Sequence, residues 1–286
     1  MKSVIIVGSG PAGISAALYL QRSGKIDVTV ISKGTSALCR AEKIENYYGF
    51  AQAISGEELY KNGIEGAKRL GVKFIDEEVV SLGFDESFKP VVGTDKSEYP
   101  ADAVLLATGA ARKSSDIKGL KEHEGKGVSY CAVCDAFFYK GKAVCVIGDG
   151  EYALHEAQTL ANTSESVTIL SDGKSLSVGL TGNIKHIDTK IVSIDGEDTV
   201  RSVTFENGDT INVSGVFVAL GVAGSTDLAR KVGAEVENGH IKVNENMETN
   251  IPGLYAAGDC TGGTMQVYKA VSDGASTAFS IIKYLK

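Results

Sequence analysis

Cys131-Ala-Val-Cys134-Asp135 is the stretch of this 286-residue chain whose residue types and spacing converge on redox chemistry. Two thiols three positions apart can close a disulfide and reopen as a dithiol, a two-electron couple that needs no metal. Asp135 directly follows the second thiol, where a carboxylate can give or take the proton of a departing thiolate; its other use is as a helix-start or turn carboxylate. A structural zinc site would add a second cysteine pair or a Cys/His partner at ligand spacing. Cys39, Cys145 and Cys260 stand alone and the four histidines show no such spacing, so no metal is expected. Cys145 lies inside an apolar run and is expected to be inert, and Cys39 and Cys260 are read with it as packing residues. Five cysteines, an odd number, do not make a secreted disulfide framework.

The elements that must position this pair follow a repeated pattern. Ser3-Val-Ile-Ile-Val7 reads as a buried parallel strand, Gly8-Ser9-Gly10-Pro11-Ala12-Gly13 as a tight turn, Ile14 to Gln21 as a helix and Val28-Thr-Val-Ile31 as a second strand. That order, within about thirty residues, is the context in which a GxGxxG turn cradles a pyrophosphate. The first two glycines allow the backbone to approach the phosphates, the third lets the helix pack on the strand, and the helix N-terminus offers free N–H groups. An acid is expected near the end of the second strand for the ribose; Ser32 stands there, followed by Lys33, so ribose recognition falls to a hydroxyl, backbone or water. Val104 to Leu106, running into Ala107-Thr108-Gly109, is a further buried strand and turn.

The pattern recurs about 140 residues on, as two nucleotide-type units of a doubly wound fold require. Ala143 to Ile147 is the strand, Gly148-Asp-Gly150-Glu-Tyr-Ala153 the turn, Leu154 to Asn162 the helix and Ser166 to Leu170 the next strand. Beyond it, Val200–Phe205 and Thr210–Val213 flank Glu206-Asn-Gly-Asp209, a hairpin signal, and Val216 to Leu220 is a strand ending in glycine. The net charge of −7 argues against a nucleic-acid binder. The apolar runs fall short of the roughly 20 residues a membrane span needs, and no signal peptide is legible, so a cytoplasmic location is expected.

Taken together the motifs resemble low-molecular-weight thioredoxin reductases. The matching pieces are Gly8-Ser-Gly-Pro-Ala-Gly13, Glu45-Asn46-Tyr47-Tyr-Gly49-Phe50, Ala107-Thr-Gly109, Cys131-Ala-Val-Cys134-Asp135 and Ile251-Pro-Gly-Leu-Tyr-Ala-Ala-Gly258-Asp259, in family order over essentially the whole length. The resemblance implies an α/β protein of two Rossmann-like, three-layer (ββα) nucleotide-binding-type domains. The FAD domain is then discontinuous, residues 1–113 and 244–286, and residues 114–243 form an inserted NADPH-type domain that carries the CxxC. Gly8, Ser9, Gly10, Pro11, Ala12 and Gly13 would face the FAD pyrophosphate. Ser32, Lys33, Thr108, Gly109 and Gly258 would contribute to the cofactor site, with Asn46 near the flavin and Val79 near the adenine. Asp259 would hydrogen-bond the ribityl or phosphate region. Gln266 and Val267 match the segment along the isoalloxazine, where Met265 replaces the family's usual arginine. Cys134 would face the flavin and Cys131 attack the partner, thioredoxin. A homodimer is implied, as are hinges near Arg112-Lys113 and Lys242–Asn244 that swing the inserted domain.

The second unit departs from this family. Its ordinary members grip the NADPH 2′-phosphate with a basic His-Arg-Arg cluster after the second strand; here Ser171-Asp172-Gly173-Lys174-Ser175-Leu176-Ser177 offers one lysine and an aspartate. Asp149 and Glu151 sit at the glycine turn, where carboxylates suit the helix dipole but compete with a phosphate for it. NADPH binding is therefore not expected. The absent motifs resemble the ferredoxin-dependent flavin thioredoxin reductases, in which reduced ferredoxin supplies electrons singly to FAD. Three other readings remain open. One is an NADH-dependent reductase with Asp172 on the ribose, another a dithiol oxidase passing electrons to oxygen, and the last a flavoprotein whose pair acts as a redox sensor.

Overall fold

A computed structural model describes residues 1–110 and 116–286, so the expected hinge at Arg112-Lys113 lies outside the described residues. The chain begins with β1 (Lys2–Val7), α1 (Pro11–Arg22), β2 (Ile26–Ile31), α2 (Gly56–Arg69), β3 (Lys73–Ile75), β4 (Val79–Phe84), β5 (Pro90–Thr94), β6 (Glu98–Pro100) and β7 (Ala103–Leu106). It continues through β8 (Val128–Ser129), α3 (Ala132–Asp135), β9 (Ala143–Ile147), α4 (Glu151–Ala161), β10 (Ser166–Leu170), β11 (Lys185–Ile187), β12 (Ile191–Asp195), β13 (Ser202–Phe205), β14 (Thr210–Asn212) and β15 (Gly215–Val218). It closes with α5 (Ser225–Lys231), β16 (Val236–Glu237), β17 (His240–Ile241), β18 (Leu254–Ala256) and α6 (Val267–Tyr284). Both glycine-turn helices start about three residues earlier than their apolar patterns suggest, because the turn residues themselves take up the first helical turn.

Two compact units result, residues 1–112 with 224–286, and residues 113–223. The return to the first unit thus comes at Gly224, about twenty residues before the expected boundary at 243. The reason is a pair of contacts across the fold: the α5 side chain of Lys231 donates to the Val80 carbonyl at 2.9 Å, and Ser225 at the start of α5 locks onto Thr108.

Each unit is a three-layer ββα sandwich. In the first, a parallel sheet ordered β18-β7-β1-β2-β3 is accompanied by an antiparallel sheet, β4-β5-β6. In the second, the parallel sheet runs β11-β10-β9-β15-β8 and the antiparallel one β12-β13-β14. The central strands β1, β7 and β9 are buried almost throughout, as strands covered on both faces must be, which is why they read as unbroken apolar runs. The first core gathers Ile6, Val28, Val30 and Leu105 with Ala16, Leu20 and Ile281 of the helices. The second gathers Cys145, Ile147, Leu170 and Val216 with Ile194, Val203 and Phe205 of the antiparallel layer. Helix α6 lies tightly against α1: the Ser15 hydroxyl donates to the Val271 carbonyl at 2.7 Å, and a Cβ on Gly274 would strike the Ala12 carbonyl.

Candidate functional site

In the first unit the glycine turn is shaped by what a side chain would hit. Gly8 has φ of +109°, and a Cβ there would strike the Ala107 carbonyl, so the turn lies directly on Ala107-Thr108-Gly109. A Cβ on Gly13 would meet the Gly8 carbonyl and come within 3.1 Å of Ile6, which is the helix-on-strand packing expected of it. Gly10 is different: its Cβ would find only the Ser36 hydroxyl, at 3.4 Å. It is also the N-cap of α1, with Pro11 next, no side-chain cap and no acidic residue in the first turn. The orphan N–H groups and positive dipole end of α1 are thus left for an anion. These features fit a dinucleotide pyrophosphate.

The other cofactor residues expected in this unit gather at the carboxyl edge of the same sheet or on segments tied to it. Ser9 is buried, its hydroxyl 2.9 Å from that of Tyr60. Ser32 donates its N–H to Ile75. Lys33 pairs with the buried Glu78 at 2.9 Å and lies 3.7 Å from Asp95, so its charge is already engaged by carboxylates. Val79 is buried at the start of β4. The Asn46 amide donates to Gln266 at 3.1 Å, joining two segments 220 residues apart. Thr108 and Ser225 are reciprocally bonded: each hydroxyl accepts the other's N–H, at 2.7 and 3.0 Å, and the hydroxyls lie 2.8 Å apart. Gly258, at φ +82°, donates its N–H to Asp273, and Lys269 bonds Asp273, the Gly258 carbonyl and Thr261. Burial raises the Asp259 carboxyl above its usual range; Lys269 opposes the shift and Asp273 adds to it. Ser225, Lys269 and Asp273 were not legible as site residues, because each acts across the fold on a backbone group that only the folded turn presents.

In the second unit Cys131 and Cys134 form a disulfide, Cα–Cα 5.3 Å, with Cys131 as the N-cap of α3. Cys131 is buried, at 4% exposure, whereas Cys134 is exposed. The Ala132 N–H donates to the buried Glu156 of α4 at 2.8 Å, so a carboxylate satisfies the start of the redox helix. Asp135 accepts from the Ser129 hydroxyl at 2.6 Å. After the pair, Tyr139 turns inward onto Phe217, while Val133, Phe137 and Phe138 face solvent, 56–79% exposed, an apolar surface beside a reactive disulfide. Of the three remaining thiols, Cys39 is only partly buried, unlike a packed core residue, and the other two lie in the core. Cys145 and Cys260 are fully buried and lifted by desolvation, Cys260 to about 12, so they stay neutral and unreactive.

The second glycine turn keeps its packing and differs in what adjoins it. A Cβ on Gly148 would strike the Ala219 carbonyl and come within 2.7 Å of Ala153, so this glycine packs as Gly8 does. The segment after β10 then folds back over the turn. The N–H and hydroxyl of Ser177 both donate to the Asp149 carbonyl, at 2.9 and 2.6 Å, and Lys174 lies 3.5 Å from the Asp149 carboxylate. Asp172, at φ +51°, accepts the Ile191 N–H at 2.8 Å, which ties the segment after β10 to the start of β12. The one lysine of the segment is paired, and Glu151 occupies the first turn of α4.

Among the described residues no helix is long and apolar enough to cross a membrane, and no group of three or more His, Cys, Asp or Glu could hold a metal. The chain matches the pyridine nucleotide-disulphide oxidoreductase family over residues 2–274. It is 33% identical to the thioredoxin reductase of Bacillus subtilis, covering 99% of this chain and 94% of that one. Against the thioredoxin reductase of Aquifex aeolicus the identity is 33%, with 99% and 93% covered. Among solved structures, the atypical thioredoxin reductase of Desulfovibrio vulgaris superposes with a TM-score of 0.94 at 36% identity, covering 100% of this chain and 98% of that one. A ferredoxin-flavin thioredoxin reductase from Clostridium acetobutylicum gives 0.73 at 34%, covering 99% and 97%.

Proposed function

Since the chain belongs to the pyridine nucleotide-disulphide oxidoreductase family, whose thioredoxin reductase members are FAD flavoproteins, we propose that it reduces thioredoxin through FAD and the Cys131–Cys134 pair, with reduced ferredoxin as electron donor. The observation that carries the donor assignment is the segment 171–177 lying on the second glycine turn. A dinucleotide there would have to displace the Ser177 bonds to Asp149, bring its phosphates to Asp149 and Glu151, and do so without a free basic side chain in the segment. Like charges at that range repel by about a kcal/mol even in water. Asp172, the acid an NADH reading requires, is committed to Ile191.

In this reading Gly8, Gly10, Gly13 and the N-terminus of α1 hold the pyrophosphate, with Asp259, Asn46 and Gln266 toward the flavin end. Bound FAD supplies a centre that can be filled one electron at a time and emptied in pairs. The protein's part is thiol–disulfide exchange. The Cys131 thiolate attacks one sulfur of the partner disulfide; a mixed disulfide forms and one partner thiolate leaves. The Cys134 thiolate then attacks Cys131 Sγ, which restores the Cys131–Cys134 disulfide and releases the second partner thiolate. Two electrons move from the pair to the partner, and Asp135 handles a proton of the thiols. Cys134 is the exposed residue of the pair, which supports its placement on the flavin side. Cys131 must be uncovered before it attacks, and Val133, Phe137 and Phe138 offer the adjoining apolar surface.

Anaerobic mixing of the flavoprotein with reduced ferredoxin, NADPH or NADH tests the donor. Bleaching of the flavin band by ferredoxin alone is expected, and rapid bleaching by NADPH would overturn the reading. With Cys134→Ser, FAD should remain bound, disulfide reduction should cease, and Cys131 should trap thioredoxin as a mixed disulfide. Trapping by Cys131→Ser instead would exchange the two roles.

A further inference from the structure

Ser129 ends β8 two residues before the redox pair, is 6% exposed, and has a hydroxyl placed among three groups. Asp135 Oδ2 lies 2.6 Å away, the Cys131 N–H donates to it at 3.1 Å, and the Cys131 carbonyl lies 3.4 Å away. A serine hydroxyl has one proton to give. The short contact to Asp135 Oδ2 takes it, and the Cys131 N–H occupies a lone pair. The hydroxyl therefore has a fixed direction: it receives from the backbone of the attacking cysteine and gives to one oxygen of the neighbouring carboxylate. Asp135 is anchored further by its own N–H, which donates to the Cys131 carbonyl at 3.2 Å.

We infer that Ser129 is a positioning residue for proton transfer at the Cys131–Cys134 pair. By holding Oδ2 of Asp135 it leaves Oδ1 as the oxygen that takes or gives the proton, and it stabilises the ionised carboxylate that accepts a proton from a thiol. When the dithiol attacks a disulfide, its two S–H protons must leave as the Cys131–Cys134 bond forms, and they end on the two thiols of the reduced partner. Asp135 Oδ1 carries one of them in this scheme, and Ser129 keeps that oxygen aimed without exchanging a proton itself. Other titratable groups around the turn include Tyr130 within it, Tyr139 after it, and Glu156 with His155 on α4, which meets the turn at the Ala132 N–H. The inference rests on the proposed thiol–disulfide role of the pair and on Asp135 as its proton carrier.

The test is a double-mutant cycle on the FAD-loaded protein, reduced anaerobically and mixed with 2-hydroxyethyl disulfide, whose alkyl thiolate must be protonated on leaving. Dithiol oxidation is followed by alkylation and mass across pH 6–9. Ser129→Ala should slow it about tenfold, with a pH profile like that of Asp135→Asn; Ser129→Thr, which keeps the hydroxyl, should restore most of the rate. In the Asp135→Asn background Ser129→Ala should add nothing. A slow Asp135→Asn with a wild-type or fully additive Ser129→Ala would overturn the Ser129 role alone. A wild-type rate in Asp135→Asn would remove Asp135 as proton carrier, and Ser129's role with it. A wild-type dithiol that does not react at all would show instead that the pair itself is misassigned.

Discussion

Gly8 and Gly148 each end a buried parallel strand and each lie under a carbonyl, that of Ala107 or of Ala219, which a Cβ would strike. One residue pair further on the two turns part. The first turn of α1 has no acidic residue and the helix begins uncapped; around Gly150 stand Asp149 and Glu151, and Ser177 is bonded to the turn. Both units keep the glycines that pack a helix on a strand, while the residues beside Gly10 and Gly150 differ in charge and bonding. A glycine-rich turn therefore reports first on βα packing, and reports a ligand only when the loop after the next strand leaves it open.

The largest effect separates the two turns directly. Gly10 and Gly150 both have extended-side φ values, −70° and −127°, and both have room for a Cβ, the nearest atoms being 3.4 and 3.8 Å away. The fold thus leaves room for an added Cβ at either place. Gly10→Val is expected to lower FAD affinity at least 100-fold, read by flavin fluorescence on titrating the apoprotein, because its side chain stands where the phosphates meet the helix. Gly150→Val should leave flavin content and thioredoxin reduction at wild-type levels and shift stability by about 0.5 kcal/mol or less. Loss of activity in the second variant would mean that the second turn still serves a ligand.

A smaller effect is expected at Asp172. Its carboxylate accepts the N–H of the buried Ile191, so Asp172→Ala should cost about 1–2 kcal/mol in denaturant unfolding while leaving the donor panel unchanged. Asp172→Asn, which keeps an acceptor oxygen, should recover most of that loss. Selective loss of flavin bleaching by NADH, with stability intact, would instead restore the nucleotide role to Asp172 and reopen the second turn.

Much of this was legible before any coordinates. The two strand–turn–helix repeats, the hairpin at Asn207-Gly208 and the inert strand cysteine Cys145 follow from short-range patterns: periodicity, turn chemistry and apolar runs. The missing basic cluster after β10 was also plain, since a charge deficit is a matter of composition. What could not be read were contacts made across the fold. Ser225 clasps Thr108 from 117 positions away, and the return boundary at Gly224 follows from that clasp. Ser177 closing on Asp149 and Glu156 capping the redox helix depend likewise on a loop or helix meeting a backbone group at one place in space.

The smallest effect concerns what the open turn costs its own unit. Asp259 is pushed above its usual range first by burial, with Asp273 adding and Lys269 opposing. A raised folded value means that the folded carboxyl binds its proton more tightly than the unfolded one, whose value is near 3.8. The apoprotein therefore gains stability as pH falls from above the folded value toward 3.8, and bears the cost of a half-buried charge at higher pH. Asp259→Asn removes that cost. Its apparent Tm, measured without FAD, should match wild type below about pH 3.8 and exceed it as pH rises past the shifted value, by on the order of 1–2 °C. The same variant should bind FAD more weakly at pH 7, because the charge that the apoprotein holds unfavourably is the acceptor proposed for the cofactor's hydroxyls. The second turn predicts no such opposition. Its Asp149 is paired with Lys174 and its carbonyl satisfied by Ser177, so Asp149→Asn should lower stability slightly or not at all and gain no nucleotide reduction.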